Sequence, residues 1–308
     1  MRIATAFAYD NSVATLQRRQ AALVESQEQL TSGKRVQKPS DDPAAVAAAE
    51  RALAQVTRSQ SLQRALDASR SAMELTESAL GAVGDVLQQV REQVVAAGNA
   101  SYSDAERRSM AVVLRGMRNE LFSIANRSDG AGRYHFGGQG SDQAPFLDAP
   151  GGVAYTATNG QARAASGEAS PLSIDGQQAW LQAADPANPG GTLSLFDVLD
   201  RVITELNTAG LGSVQIGLNV SAGLRDIDAS AENLGAWRSR TGAALNRIDG
   251  MAERLSQTTL DAQVARSEAE DLDMLQAISD FQNRQTGYDA ALKTYSIVQK
   301  MSLFDHIR

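Results

Sequence analysis

Very few side chains in this sequence could do covalent or acid–base chemistry. It holds no cysteine and two histidines, His135 and His306, so thiolate nucleophiles, disulfides and thiolate metal sites are excluded. Neither histidine has a second one at ligand spacing. His135 lies in the glycine-rich turn Gly132 to Gly140 and His306 near the end of the sequence, and both read as packing or solvated residues rather than proton carriers. Gly130-Ala131-Gly132 lacks the third glycine and the preceding strand of a phosphate cradle. The acidic pairs Asp41-Asp42 and Glu270-Asp271 could be imagined as an acid and a base. Helix capping accounts for the first and a solvated joint between helices for the second, so no catalytic, cofactor-binding or metal site is expected.

What the sequence has instead is helix-forming material. Its 308 residues are 43% hydrophobic and 5% aromatic, with alanine, leucine and valine carrying most of the apolar fraction, a composition that favours helices. With 29 basic and 36 acidic residues the net charge is −7, which argues against a nucleic-acid partner, since neutralising phosphates needs a basic face. No apolar stretch is long enough to cross a bilayer. Met1 to Ser12 carries one arginine and no sustained apolar run, so no cleavable secretory signal is expected.

Proline and glycine divide the chain. The seven prolines stand at 39, 43, 145, 150, 171, 186 and 189, leaving two proline-free flanks, 44–129 and 192–308, that can be helical throughout. A first helix is predicted from about Thr5 to Thr31, ending at Ser32-Gly33, where glycine can take the left-handed cap. Ser40-Asp41-Asp42-Pro43 starts a second, with oxygen acceptors for the free amides, carboxylates at the positive end of the dipole and proline in the first turn. Along it Leu66, Met73, Leu80, Leu87 and Val94 recur at sevens beside a companion row of Ser69, Thr76, Val83, Val90 and Ala97. A third helix runs from Ser103 or Asp104 to about Ser128. Residues 130–191 mix glycine, proline and short alternating pieces such as Val153 to Thr156 and Leu172 to Ile174, which suit a few short strands. Helices resume at Leu195 to Leu206. After a break at Gly210 to Gly217, a seam from Val220 to Ala262 keeps alternating steps of four and three. The acidic run Glu268 to Asp273 then marks a joint.

The two ends carry matching seams. Tyr9, Val13, Leu16, Gln20, Leu23, Gln27 and Leu30 near the start repeat the spacing of Met274, Ile278, Phe281, Gln285, Tyr288, Leu292 and Tyr295 near the finish. This predicts a mainly α, nested antiparallel bundle or coiled coil: the N- and C-terminal helices pair, the long helices pair inside them, and a small β-rich insert lies at the tip. The expected domains are 1–42 with 271–308, 43–140 with 192–270, and 141–191. A two-helix arm of this kind buries too little apolar surface to be stable alone. Both termini are therefore expected to be mobile in the isolated subunit and to order on assembly. The assembly residues are taken as Tyr9, Val13, Leu16, Leu23, Leu30, Met274, Ile278, Phe281, Tyr288, Leu292 and Tyr295, with the loop residues Gly33, Asp41, Asp42 and Pro43.

The nested plan resembles the bacterial flagellin superfamily, and three stretches sharpen the likeness. Leu30-Thr31-Ser32-Gly33-Lys34-Arg35-Val36 followed by Pro39-Ser40-Asp41-Asp42-Pro43-Ala44-Ala45 is similar to the loop after the first helix in flagellins and their junction proteins. Gly132-Arg133-Tyr134-His135-Phe136-Gly137-Gly138 with Pro145-Phe146 resembles the segment leading into the insert of a junction subunit, with His135 where an apolar residue is expected, and Ser302-Leu303-Phe304-Asp305 resembles that family's ending. The resemblance implies a structural, non-enzymatic subunit without cofactor, set in a ring of its own copies between hook and filament. Its neighbours would be a hook-side junction protein and flagellin. Export would go through the flagellar type III apparatus after a cytosolic chaperone has held the C-terminal segment, with no nucleic acid or membrane as partner. A filament-forming flagellin and, more distantly, a helical secreted translocator or effector stay open as alternatives.

Overall fold

The computed structural model describes residues 2–99, 101–130, 132–140, 143–164 and 170–304, and side chains between Tyr9 and Ile297. It is mainly helical. Helices α1 (Arg2–Ser32), α2 (Pro43–Ala97) and α3 (Asp104–Ala125) are followed by strands β1 (Phe146–Ala149) and β2 (Gly152–Tyr155), the short helix α4 (Gly176–Trp180) and strands β3 (Ala183–Ala184) and β4 (Thr192–Leu193). Helices α5 (Leu195–Asn207), α6 (Ser213–Glu270) and α7 (Met274–Phe304) complete the chain. It divides into two compact units, Met1–Gln60 with Ser256–Arg308, and Ser61–Leu255.

Local chemistry sets the helix ends. Gly33 closes α1 at φ +70°, its amide donating to the Gln29 carbonyl at 2.9 Å. Asp42 caps α2 by accepting from the amides of Ala44 and Ala45 at 3.1 and 3.0 Å, with Pro43 in the first turn. Ser103 and Glu106 form a reciprocal capping box at the start of α3. That helix stops at Ala125, short of the Ser128 expected, because the Asn126 amide turns away to clamp the backbone of Phe146, donating at 3.0 Å and accepting at 2.9 Å. Likewise α6 begins inside the expected break, at Ser213.

In the unit Ser61–Leu255 both predicted rows of α2 are buried: Leu66, Met73, Leu80, Leu87 and Val94, and beside them Ser69, Thr76, Val83, Val90 and Ala97. On α6, Ile227, Leu234 and Ile248 are buried in the same cluster, and Thr241 is buried on the same helix. Arg70–Asp249 at 2.8 Å, Glu77–Arg238 at 2.7 Å and Arg91–Asp228 at 3.0 Å mark an antiparallel register along the pair. Exposed pairs of this kind are worth about 0–1 kcal/mol each, whereas each buried Leu or Val contributes about 1.5–3 kcal/mol. The seam supplies the stability and the ion pairs report the alignment.

The glycine- and proline-rich middle has no core of its own. β1 and β2 form an antiparallel hairpin, β3 and β4 a second, smaller one, and Leu172 to Ile174 forms no strand. Trp180 of α4 stacks on Phe196 of α5 with centroids 5.6 Å apart and planes 5° from parallel, while Phe136 and Phe146 meet the same indole edge-on. All four are buried in one cluster with the α2 and α6 rows. On its other side the insert is pinned by Arg118 of α3. This buried guanidinium hydrogen-bonds the Asp148 carboxylate through both terminal nitrogens and reaches Asp200 at 3.1 Å. The first of these holds the Asp148 carboxyl below its ordinary range. Ser69 donates to the Pro171 carbonyl at 2.6 Å, and the Asn233 amide to those of Gln178 and Ala179. Trp180→Ala is therefore expected to lower the unfolding free energy of the whole helical unit by about 3–5 kcal/mol, read by denaturant titration of the helical signal. A helical transition left in place would mean that the insert folds separately.

Candidate assembly interface

In the unit Met1–Gln60 with Ser256–Arg308, α1 and α7 run antiparallel. Tyr9 and Tyr295 place their rings 5.8 Å apart, and Arg284 donates to the Ala22 carbonyl at 2.9 Å and to the Ser26 hydroxyl at 2.7 Å. The Arg19 guanidinium lies over Gly287, one of its nitrogens 2.7 Å from where a Cβ would stand.

The predicted seam is split in two by this geometry. Val13, Leu16, Leu23 and Leu30 of α1 and Phe281, Tyr288 and Tyr295 of α7 are half-buried against each other's helix. Met274, Ile278 and Leu292 are 46, 46 and 40% exposed, and Tyr9 50%. Sequence reasoning missed Leu275, 85% exposed, and Val24 and Ile297, whose positions outside the four-three row hid them. Among the described side chains of α1 and α7, Ser26 alone is buried. A helix pair that leaves every described apolar side chain partly wet has an unfinished core there. Open grooves of about 500 Å³ flank it, one beside Gln17, Val24, Gln37 and Asp41 and another beside Leu16, Ala291 and Tyr295.

The loop after α1 and the joint before α7 are tied together. Leu272 donates its amide to the Gly33 carbonyl at 3.0 Å and Arg35 to that of Glu270 at 2.8 Å, and Arg35 also reaches the Ala269 carbonyl. Glu270 is not the solvated residue expected of a joint: its carboxylate, 16% exposed, accepts from Lys34 at 3.0 Å and Arg266 at 2.8 Å. Val36 is buried beneath. Asp41 accepts from the amides of Lys38 and Gln37 and is held below the ordinary carboxylate range by them. Asp42 is lowered chiefly by the Ala45 amide, with Arg35 adding to it.

Among the described residues no group of three His, Asp or Glu could hold a metal, and no described helix is long and apolar enough to cross a membrane. His135 is buried at 3% exposure, and desolvation pushes its imidazole below its usual value. It fills an apolar position as a packing residue. His306 lies outside the described residues.

The family model for the bacterial flagellin N-terminal helical region matches residues 3–141, and that for the C-terminal helical region matches 224–307. The chain is also 31% identical over 315 aligned positions to flagellar hook-associated protein 3 of Salmonella typhimurium, covering 99% of both sequences. The chain belongs to the flagellin superfamily, on its hook-associated protein 3 branch. Flagellin of Bacillus subtilis is a more distant member of the superfamily, 26% identical over 291 positions and 91% of this chain. The fold agrees: the crystal structure of FlgL from Xanthomonas campestris superposes with a TM-score of 0.60 at 21% identity, covering 71% of this chain and 99% of that one.

Because the two loop carboxylates are held below their ordinary range, their contribution is complete above that range and is lost as the pH falls through it. Asp42→Asn is expected to flatten the fall of thermal stability between about pH 5 and pH 2, followed by circular dichroism. A pH profile identical to that of the unsubstituted chain would contradict the assignment.

Proposed function

We propose that this chain is a structural subunit of the bacterial flagellum placed at the hook–filament junction, next to flagellin. The observation that carries the reading is the end-to-end likeness to hook-associated protein 3, 31% identical with neither sequence left unmatched beyond 1%. The terminal helix pair supports it physically, since its exposed leucine, isoleucine and methionine side chains need outside surface to cover them. The chain acts by assembly rather than catalysis. Segments 1–42 and 271–308 form the assembly arm: Leu16, Leu23, Phe281, Tyr288 and Tyr295 lie on the half-buried row that pairs its two helices and give their remaining surface to assembly, while the exposed Met274, Ile278 and Leu292 contact copies of the chain in a ring and the neighbouring hook-side subunit and flagellin. The loop at Gly33 and Asp41 to Pro43 sets the arm's geometry. Before assembly the subunit is exported by the flagellar type III apparatus, a cytosolic chaperone holding the C-terminal segment.

The test is complementation of a deletion strain. Loss of the gene is expected to leave hooks without filaments and to shed flagellin into the medium. The unsubstituted chain restores swimming, and Leu292→Asp does not. Because Leu292 is 40% exposed, that substitution should change the stability of the isolated chain by no more than about 0.5 kcal/mol. Filaments on the deletion strain, or normal swimming with Leu292→Asp, would overturn the reading.

A further inference from the structure

A cleft of about 270 Å³ opens between α6, the insert and α2. Its floor is apolar and fixed: Met73, Ile174 and Trp237 are 1, 2 and 6% exposed. Its rim is basic. Arg240 and Arg247 stand seven residues apart on α6, two turns, so they lie on one face and about 10 Å apart along the axis. Arg163 comes from the insert, where its backbone is held in a bridge to Pro171. Arg240 is preordered, its guanidinium carbon 4.8 Å from the Trp237 ring centroid.

No acidic side chain lines the cleft, and among the described residues none of the three arginines makes an ion pair. In the same unit Arg70, Arg91, Arg118, Arg201, Arg225 and Arg238 find carboxylates. In a chain of net charge −7, three arginines on one rim, with no acid among the described lining residues, suit a multivalent anion, to which they offer planar, bidentate donors. We propose that this cleft binds a small polyvalent oxyanion, one carrying two or more carboxylate or phosphate groups. Its apolar floor excludes water from one side of the ligand and strengthens each charge-assisted contact.

The test is isothermal titration calorimetry of the full chain with pyrophosphate in one arm and citrate in the other, at low and moderate salt, with acetate as the monovalent control. Pyrophosphate binding alone marks a phosphate site, citrate binding alone a carboxylate site, and both the shared chemistry. Arg240→Gln with Arg247→Gln is expected to weaken binding at least about tenfold, and Arg163→Gln to weaken it in the same direction. The matched control is Arg108→Gln with Arg115→Gln, two exposed arginines seven apart on α3, which should leave affinity unchanged. Circular dichroism verifies that each variant is folded. Absence of heat with both polyvalent anions, or equal weakening by the α3 pair, would overturn the proposal.

Discussion

The pairing of the first helix with the last is the contact on which the architecture turns. It joins residues separated by nearly the whole chain, Tyr9 with Tyr295 and Ser26 with Arg284, so nothing local can hold it. Closing so long a loop costs conformational entropy that grows only slowly with length, yet the contact itself is thin. Among the described side chains one row of each helix is half-buried and Ser26 alone is buried. Such a pair is good enough to choose a register and too poor to finish a core. The knot of Gly33, Lys34 and Arg35 against Ala269 to Leu272 then fixes where α1 and α7 leave it.

The unit Ser61–Leu255 is built on the opposite principle. Its α2 rows are covered on every turn from Leu66 to Ala97, and the irregular middle adds its aromatic side chains to that core. Phe136, Phe146, Trp180 and Phe196 meet ring to ring within it. One molecule thus contains a self-sufficient unit and an incomplete one, which is what a subunit needs if it must stay folded before assembly and still offer apolar surface during it.

Much of this was legible in the sequence. Strict sevens through Leu66, Met73, Leu80, Leu87 and Val94 name a buried stripe because the helical period leaves no other face for them, and Ser32-Gly33 and Asp42-Pro43 name helix ends through backbone requirements that few other residues meet. The division of α7 was hidden. A four-three row spans a broad arc, and sequence cannot tell which edge of that arc meets one partner helix, so Phe281, Tyr288 and Tyr295 could not be separated from Met274, Ile278 and Leu292. The insert's attachment was hidden for another reason: Asn126, Ser69 and Asn233 act through backbone groups distant in sequence. Arg118 did leave a trace, standing among Leu114, Met117 and Leu121 on the apolar side of α3.

The chain contains no cysteine, so a single one introduced at a chosen position reports solvent access without interference. Leu292→Cys should react quickly with a maleimide in the isolated subunit, where the side chain is 40% exposed, and become strongly protected in assembled flagella. Equal reactivity before and after assembly would show that the outer row of α7 is never covered, and would contradict the account.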